Sequence, residues 1–131
     1  MREIKFRAKR IGLGAVNSKW AYGFYVERDG YEKGMIYDRA GLGVDVDPKT
    51  LGQFTGLTDD YDREIYDGDI LVWENEEESN FEYYTVQWFK CGWAFHWAER
   101  DNTPEFLEDT EEFEVAGNIY DSPELLEKEK P

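Results

Sequence analysis

The sequence has almost no cysteine or histidine: Cys91 and His96 are the only residues of either type among 131. A single cysteine cannot form an intramolecular disulfide, and it cannot supply a four-cysteine zinc site. Nucleophilic catalysis by a Cys–His pair is one alternative, because both residues fall on one predicted hairpin. We favour a structural role for His96, since Cys91 lies in the predicted turn and the chain has no second histidine.

Long apolar runs are also missing. No stretch approaches the roughly 20 apolar residues that a membrane helix needs. The first ten residues, MREIKFRAKR, lack the apolar stretch of a signal peptide. We therefore expect no membrane association and a cytoplasmic location. The length suits one domain, or one domain with a small appendage.

Positive charge is scarce beyond the N-terminus. The chain has 15 basic and 30 acidic residues, a net charge of −15. Residues 1–20 contain six basic residues and one acidic residue, which leaves them at +5 and the remainder at −20. An acidic body disfavours direct binding to nucleic acid or anionic lipid, and it suits a basic partner or high solubility.

The basic N-terminal cluster includes Lys5, Arg7 and Lys9. We expect it to neutralise the protein's own acidic surface, and contact with phosphates is the alternative. If the acidic surface belongs to a neighbouring copy, the protein is a homo-oligomer in which the N-terminal strand, with Ile4 and Phe6, docks on the neighbour.

Aromatic residues, in contrast, are abundant at 17% of the chain. Large rings bury much apolar area per residue, so a compact core is expected despite 34% charged residues. The candidate binding residues are Trp88, Trp93 and Trp97. Trp93, Phe95 and Trp97 alternate on one predicted strand and share one face. An exposed face would be a stacking platform, whereas an inward face would be core, and we favour core.

Alternation of apolar and polar residues predicts a mainly β fold. The runs EIKFRA, KWAYGFYVER and YEKGMIYD predict N-terminal strands, and FEYYTVQWF with WAFHWAE predicts a hairpin over residues 81–97. The glycines and the proline between residues 41 and 48 predict a loop. Residues 103–105, Thr-Pro-Glu, predict a helix start, with an irregular surface segment as the alternative.

Strands at short spacing with turn signals between them predict a small barrel-like sheet with short peripheral helices. We expect residues 1–51 to form an N-terminal β region packed on the barrel. Residues 52–122 would form the barrel itself, and residues 123–131 a short C-terminal helix or tail.

Three patches resemble the YopX-like family of phage and prophage proteins. They are IKFRA at residues 4–8, GQFTGLTD at 52–59 continuing into EIYDGDI at 64–70, and VAGNIY at 115–120 followed by PELL at 123–126. Lys9 stands where the family usually has Trp, and Tyr61-Asp62 where it usually has Asn-Gly. The resemblance implies a mobile-element origin and a fold type, and it transfers no catalytic residue.

The middle patch contains the carboxylates that are the best candidates for binding a metal ion. Glu64, Asp67 and Asp69 are oxygen donors of the kind that Mg²⁺ and Ca²⁺ prefer, although the EF-hand spacing is absent. We favour a turn at Asp67-Gly68, with Asp69 bonding backbone N–H groups before a strand. The predicted structural motif residues are Gly56, Asp67, Gly68, Asp69, Gly117 and Asn118.

These observations predict a phage-type, non-catalytic interaction protein with a protein partner, no cofactor and no bound metal. Two alternatives from other classes stay open. One is an acidic decoy that imitates DNA phosphates toward a basic nucleic-acid-binding protein. The other is a metal-dependent hydrolase that uses Glu64, Asp67 and Asp69. Decoy binding should weaken steeply as ionic strength rises, which separates it from binding through apolar contacts.

Overall fold

The computed structural model describes residues 3–11, 20–27, 34–89, 92–97, 105–106 and 113–127. The prediction of a mainly β fold is confirmed, since strands dominate these residues. The strands form two antiparallel sheets, and no closed barrel is found in the described ranges, so the barrel-like arrangement is not confirmed. The chain divides into two compact units, Met1–Phe54 and Thr55–Pro131. None of the described helices is long and apolar enough to cross a membrane.

The first unit is built on an antiparallel sheet with the strand order β4-β3-β2-β1-β5. Its strands are β1 (Phe6–Lys9), β2 (Trp20–Glu27), β3 (Gly34–Tyr37), β4 (Gly43–Val46) and the beginning of β5 (Gly52–Thr58). Strands β2 and β3, both predicted from the runs KWAYGFYVER and YEKGMIYD, pair antiparallel with Tyr25 opposite Ile36.

One face of this sheet forms the core of the first unit. Ala8, Ile36 and Val46 are buried there, and partly buried apolar residues pack against them: Ala21, Tyr25, Val44 and Leu51. Because side chains alternate along a strand, Tyr22, Phe24 and Val26 of β2 point to the face opposite to Ala21 and Tyr25. We call that opposite face the outer face.

The predicted loop between residues 41 and 48 is wrong in part, because Gly43–Val46 is strand β4. Val44 pairs with Ile36, and Val46 is fully buried, so apolar alternation outweighs the two glycines. Asp47 caps the segment that follows β4. Its side chain accepts a hydrogen bond from the Lys49 N–H at 3.0 Å and begins a single 3₁₀ turn, Pro48–Thr50.

The second unit contains a five-stranded antiparallel sheet with the order β10-β9-β8-β7-β11. The end of β5 and the short β6 (Glu64–Tyr66) precede it along the chain. The sheet strands are β7 (Asp69–Asn75), β8 (Asn80–Phe89), β9 (Gly92–Trp97), β10 (Glu105–Phe106) and β11 (Glu114–Asn118), and α1 (Glu124–Glu127) follows. The predicted hairpin is confirmed by the pairing of β8 with β9, and β8 lies at the centre of the sheet.

The prediction of a helix start at residues 103–105 is wrong at Glu105. Glu105 and Phe106 pair with Phe95 and Ala94 as strand β10, because the sheet edge at β9 offers backbone partners that the local sequence does not reveal. Residues 103 and 104 lie outside the described ranges. The core of the second unit consists of Ile65, Leu71, Val86 and Trp93, with partly buried Leu57, Phe113 and Val115 against them.

Candidate functional site

The three candidate tryptophans do not behave alike. Trp93 is 7% exposed and belongs to the core, whereas Trp88 is 51% exposed. Their ring centroids lie 5.0 Å apart in an edge-on arrangement, so Trp88 covers Trp93 from the solvent side. The side chain of Trp97 lies outside the described residues. In the described part of the chain, therefore, Trp88 alone of the three offers an exposed ring.

The candidate carboxylates are held by local structure. Asp69 is fully buried, and its Oδ2 accepts a hydrogen bond from the Tyr66 N–H at 2.7 Å. The Glu64 Oε1 accepts one from the Tyr66 hydroxyl at 3.1 Å. Asp67 and Gly68 form the turn before β7, with Gly68 at a φ of +91°. Among the described residues, no group of three or more His, Cys, Asp or Glu is arranged to hold a metal ion.

The other motif residues shape the backbone. Gly56 has a φ of +88°, and Gly117 follows a shift in the pairing between β11 and β7. The Asn118 Oδ1 accepts hydrogen bonds from the N–H groups of Tyr120 and Asp121 at 3.0 and 2.9 Å, which fixes the turn after β11.

The Cys91–His96 alternative falls largely outside the described residues. Cys91 lies outside the residues that the structure describes. The backbone of His96 pairs with Thr85 in the hairpin, and its side chain is not described.

Asp59 is a buried acid that the sequence reasoning did not single out. Its Oδ1 accepts hydrogen bonds from the N–H groups of Tyr61 and Arg63, both at 2.9 Å. Its Oδ2 accepts from the Arg63 Nε and from the Val115 N–H, also at 2.9 Å. Burial alone would raise the pKa of Asp59, but the hydrogen bonds from Val115, Arg63 and Tyr61 lower it overall. These four hydrogen bonds connect the turn after Asp59 to β11. They occupy both oxygens of the carboxylate, so Asp59 is not available for catalysis.

The first unit carries an open groove of about 740 Å³ at one end of the outer face. Three large apolar side chains line it and remain exposed: Ile4 at 59%, Tyr22 at 48% and Phe24 at 58%. Val26 continues the same alternation along β2 and is also exposed. The remaining lining residues are Glu3, Lys5, Gly23, Asp38, Arg39 and Ala40.

The rim of the groove carries equal numbers of acidic and basic residues, Glu3 and Asp38 against Lys5 and Arg39. Glu3 lies 3.6 Å from the Lys5 Nζ and 3.2 Å from an Arg39 guanidinium nitrogen. The Asp38 Oδ1 accepts a hydrogen bond from the Leu42 N–H at 2.9 Å, which orders the turn after β3.

Strand pairing assembles the rest of the outer face. Phe24 pairs with Tyr37 and Val26 with Met35, so all four share that face. Along the other edge of β2, Arg7 of β1 pairs with Tyr22 and so lies on the same face. The Arg7 guanidinium carbon lies 4.5 Å from the centroid of the Trp20 ring. The outer face therefore combines exposed aromatic and apolar side chains with two basic residues of β1, the partly buried Lys9 and the buried Arg7, which is 6% exposed.

The sequence contained a signal for this surface, since Tyr22, Phe24 and Val26 recur at every second position of one strand. The opposite face of β2 is also apolar, with Ala21 and Tyr25. Alternation alone therefore gave no reason to choose which face is buried. Ala8 and Ala21 pair directly, and their small side chains allow close packing, so the core forms on the face that they share.

Comparison with known proteins identifies a family and a solved structure of similar fold. A family model described as YopX protein matches residues 15–127. The crystal structure of protein EF1440 from Enterococcus faecalis is similar with a TM-score of 0.54 and 19% sequence identity, covering 96% of this chain and 99% of that chain. At this identity the likeness concerns the fold alone. No curated protein matches the chain.

Proposed function

The chain belongs to the YopX protein family, and from that premise we propose that it is a cytoplasmic, phage- or prophage-type interaction protein without catalytic activity. Its binding surface is the outer face of the first unit. The observation that carries this proposal is the exposure of Tyr22, Phe24 and Val26 on one side of β2. Large apolar side chains grouped on a surface and bordered by polar residues mark protein-binding sites.

The chemistry of the groove supports a protein partner. Aromatic residues are enriched at the centres of protein interfaces, where they bury large areas and lose little conformational freedom. Tyr22 and Phe24 occupy such a central position, and the charged side chains of Lys5 and Arg39 lie at the edge. A polar rim around an apolar centre is the usual arrangement of these interfaces.

Charge is divided unequally between the two units and supports the same class of partner. Residues 1–54 contain ten basic and seven acidic residues, a net charge of +3, whereas residues 55–131 contain five basic and 23 acidic residues, a net charge of −18. The second unit therefore repels nucleic-acid phosphates, while the first unit is the better surface for a partner of mixed charge.

The concentration of negative charge in residues 55–131 favours a second candidate, the acidic decoy for a basic nucleic-acid-binding protein. The two candidates respond differently to salt. Decoy binding depends on long-range attraction and weakens steeply with ionic strength. Binding through Tyr22 and Phe24 depends on apolar burial and is much less sensitive to salt.

Affinity capture with matched variants tests the proposal. Phe24→Ser removes an exposed ring from the groove, and Phe81→Ser removes an equally exposed ring, 56% against 58%, from β8 in the second unit. We expect the tagged wild-type protein and Phe81→Ser to retain the same bound protein, whether a cellular protein or a second copy, and Phe24→Ser to lose it. Equal retention by all three proteins would place binding away from the groove and contradict the proposal.

A further inference from the structure

We infer that the groove on the first unit binds a second copy of this chain, so that two outer faces pack against each other around a twofold axis. This inference rests on the proposed function, because it names the occupant of the same surface. Three features of the described residues carry it: the charge of the two units, the composition of the rim and the size of the apolar centre.

The distribution of charge decides where two copies can meet. Each copy carries −15, so contact between two second units would bring two surfaces of −18 together. The first unit carries +3 and opposes association far less. Like charges placed opposite each other across an interface oppose association, so a twofold contact between identical surfaces is disfavoured at the second unit and is opposed far less at the first.

The rim of the groove is complementary to itself. In a twofold interface the same patch occurs on both sides, so a rim of one sign would repel its own copy. Here Glu3 and Asp38 are balanced by Lys5 and Arg39. The Arg39 side chain is 90% exposed and lies 3.2 Å from Glu3 of the same chain, so an acidic and a basic group stand side by side where a facing copy would present the same pair. Because the rim has no net charge, it does not attract a strongly charged partner of either sign.

The apolar centre has a suitable size. A fully buried aromatic side chain covers about 150–250 Å². Tyr22 and Phe24, each about half exposed, therefore offer on the order of 100 Å² apiece. With Ile4 and Val26 the apolar centre approaches about half of the ~800 Å² that each partner contributes to a standard interface. The exposed rim residues Glu3, Asp38 and Arg39 add polar area around this centre.

Sedimentation equilibrium of the full chain tests the inference, with protein from about 1 to 300 μM in low and high salt. We expect a concentration-dependent dimer whose dissociation constant stays constant or falls in high salt, because salt screens the repulsion between two −15 chains. Phe24→Ser should raise the dissociation constant at least tenfold, and Phe81→Ser should leave it unchanged. Arg39→Glu, which leaves the apolar centre intact but makes the rim acidic, should also weaken the dimer, with circular dichroism confirming that each variant is folded.

Several results would overturn the inference. One is a wild-type protein that stays monomeric throughout this range, and another is a dimer that Phe24→Ser leaves intact. A dimer that dissociates as salt is added would instead indicate docking of the basic first unit on an acidic second unit. If the protein is monomeric but captures a different protein through Phe24, the self-association inference fails while the proposed function stands.

Discussion

At the scale of single residues, the acids of this chain divide into those that build the fold and those that only charge the surface. Asp59 and Asp69 are buried and accept hydrogen bonds from backbone N–H groups, whereas Asp60 and Asp62 are exposed. The structure has a turn directly after Asp59, at residues 60 and 61. The sequence did not predict the burial of Asp59, because one of its donors, the Val115 N–H, comes from a strand 56 positions away.

Replacing Asp59 by Asn should destabilise the protein by about 3 kcal/mol, because an amide cannot accept all four hydrogen bonds and Arg63 then keeps only Glu114, at 3.4 Å, as a carboxylate partner. Asp60→Asn, a neighbouring exposed change, should alter the free energy of unfolding by less than about 0.5 kcal/mol. Urea unfolding followed by circular dichroism measures both. Equal stabilities for the two variants would contradict the role given to Asp59.

Comparison of the wild-type protein with Asp59→Asn also gives a prediction about how stability depends on pH. The pKa of Asp59 is lower in the folded protein than its ordinary value, so the charged form stabilises the folded state. This contribution is complete above about pH 4, the ordinary pKa of aspartate, and is lost as the pH falls through the lower folded-state pKa. The stability difference between wild type and Asp59→Asn should therefore be constant from about pH 5 to 7 and shrink toward pH 2. A difference that grows on acidification would contradict the direction of the pKa shift.

At the scale of secondary-structure elements, alternation predicted most strands but not which face of each is buried. FEYYTVQWF and WAFHWAE predicted the β8–β9 hairpin, and the structure confirms it with Trp88 opposite Trp93. Whether each ring is buried in the core or exposed as a stacking surface depends on the strands that pack against the hairpin. Long-range packing buries Trp93 against Ile65 and Leu71 and leaves Trp88 exposed. Strand β4 was not predicted, because Gly41 and Gly43 indicated a loop and the strand has only a short alternation of two valines.

Strand β2 depends on Gly23, which lines the groove at a φ of +151°. A Cβ at this position would collide with the carbonyl oxygen of Tyr37 on the paired strand. Gly41 provides a matched control, because its φ of +85° also disfavours a side chain but a Cβ there would meet open space. We expect Gly41→Ala to cost about 1–2 kcal/mol and Gly23→Ala about 3 kcal/mol or more, measured by thermal unfolding. Equal costs would show that the approach of β3 to Gly23 is less close than described.

At the scale of the whole molecule, the chain combines two units of opposite net charge. The uneven distribution was evident from the sequence, as the contrast between residues 1–20 and the remainder. The groove was not predicted, because it depends on the pairing of β1, β2 and β3 and on the turn after β3. The family resemblance indicated the fold class, and the match over residues 15–127 confirms the family. Neither one specifies a partner, so the proposed function depends on the exposed side chains of the first unit.

The measurement that tests this account most directly is site-specific photo-crosslinking in cells, with p-benzoylphenylalanine in place of either Phe24 or Phe81. The two rings are similarly exposed and lie on different units, so they differ in surroundings and not in accessibility. The account predicts a discrete covalent protein adduct from position 24, whether with a second copy or with another protein, and no such adduct from position 81. Adducts of equal yield from both positions, or an adduct from position 81 alone, would contradict the assignment of the binding surface to the outer face of the first unit.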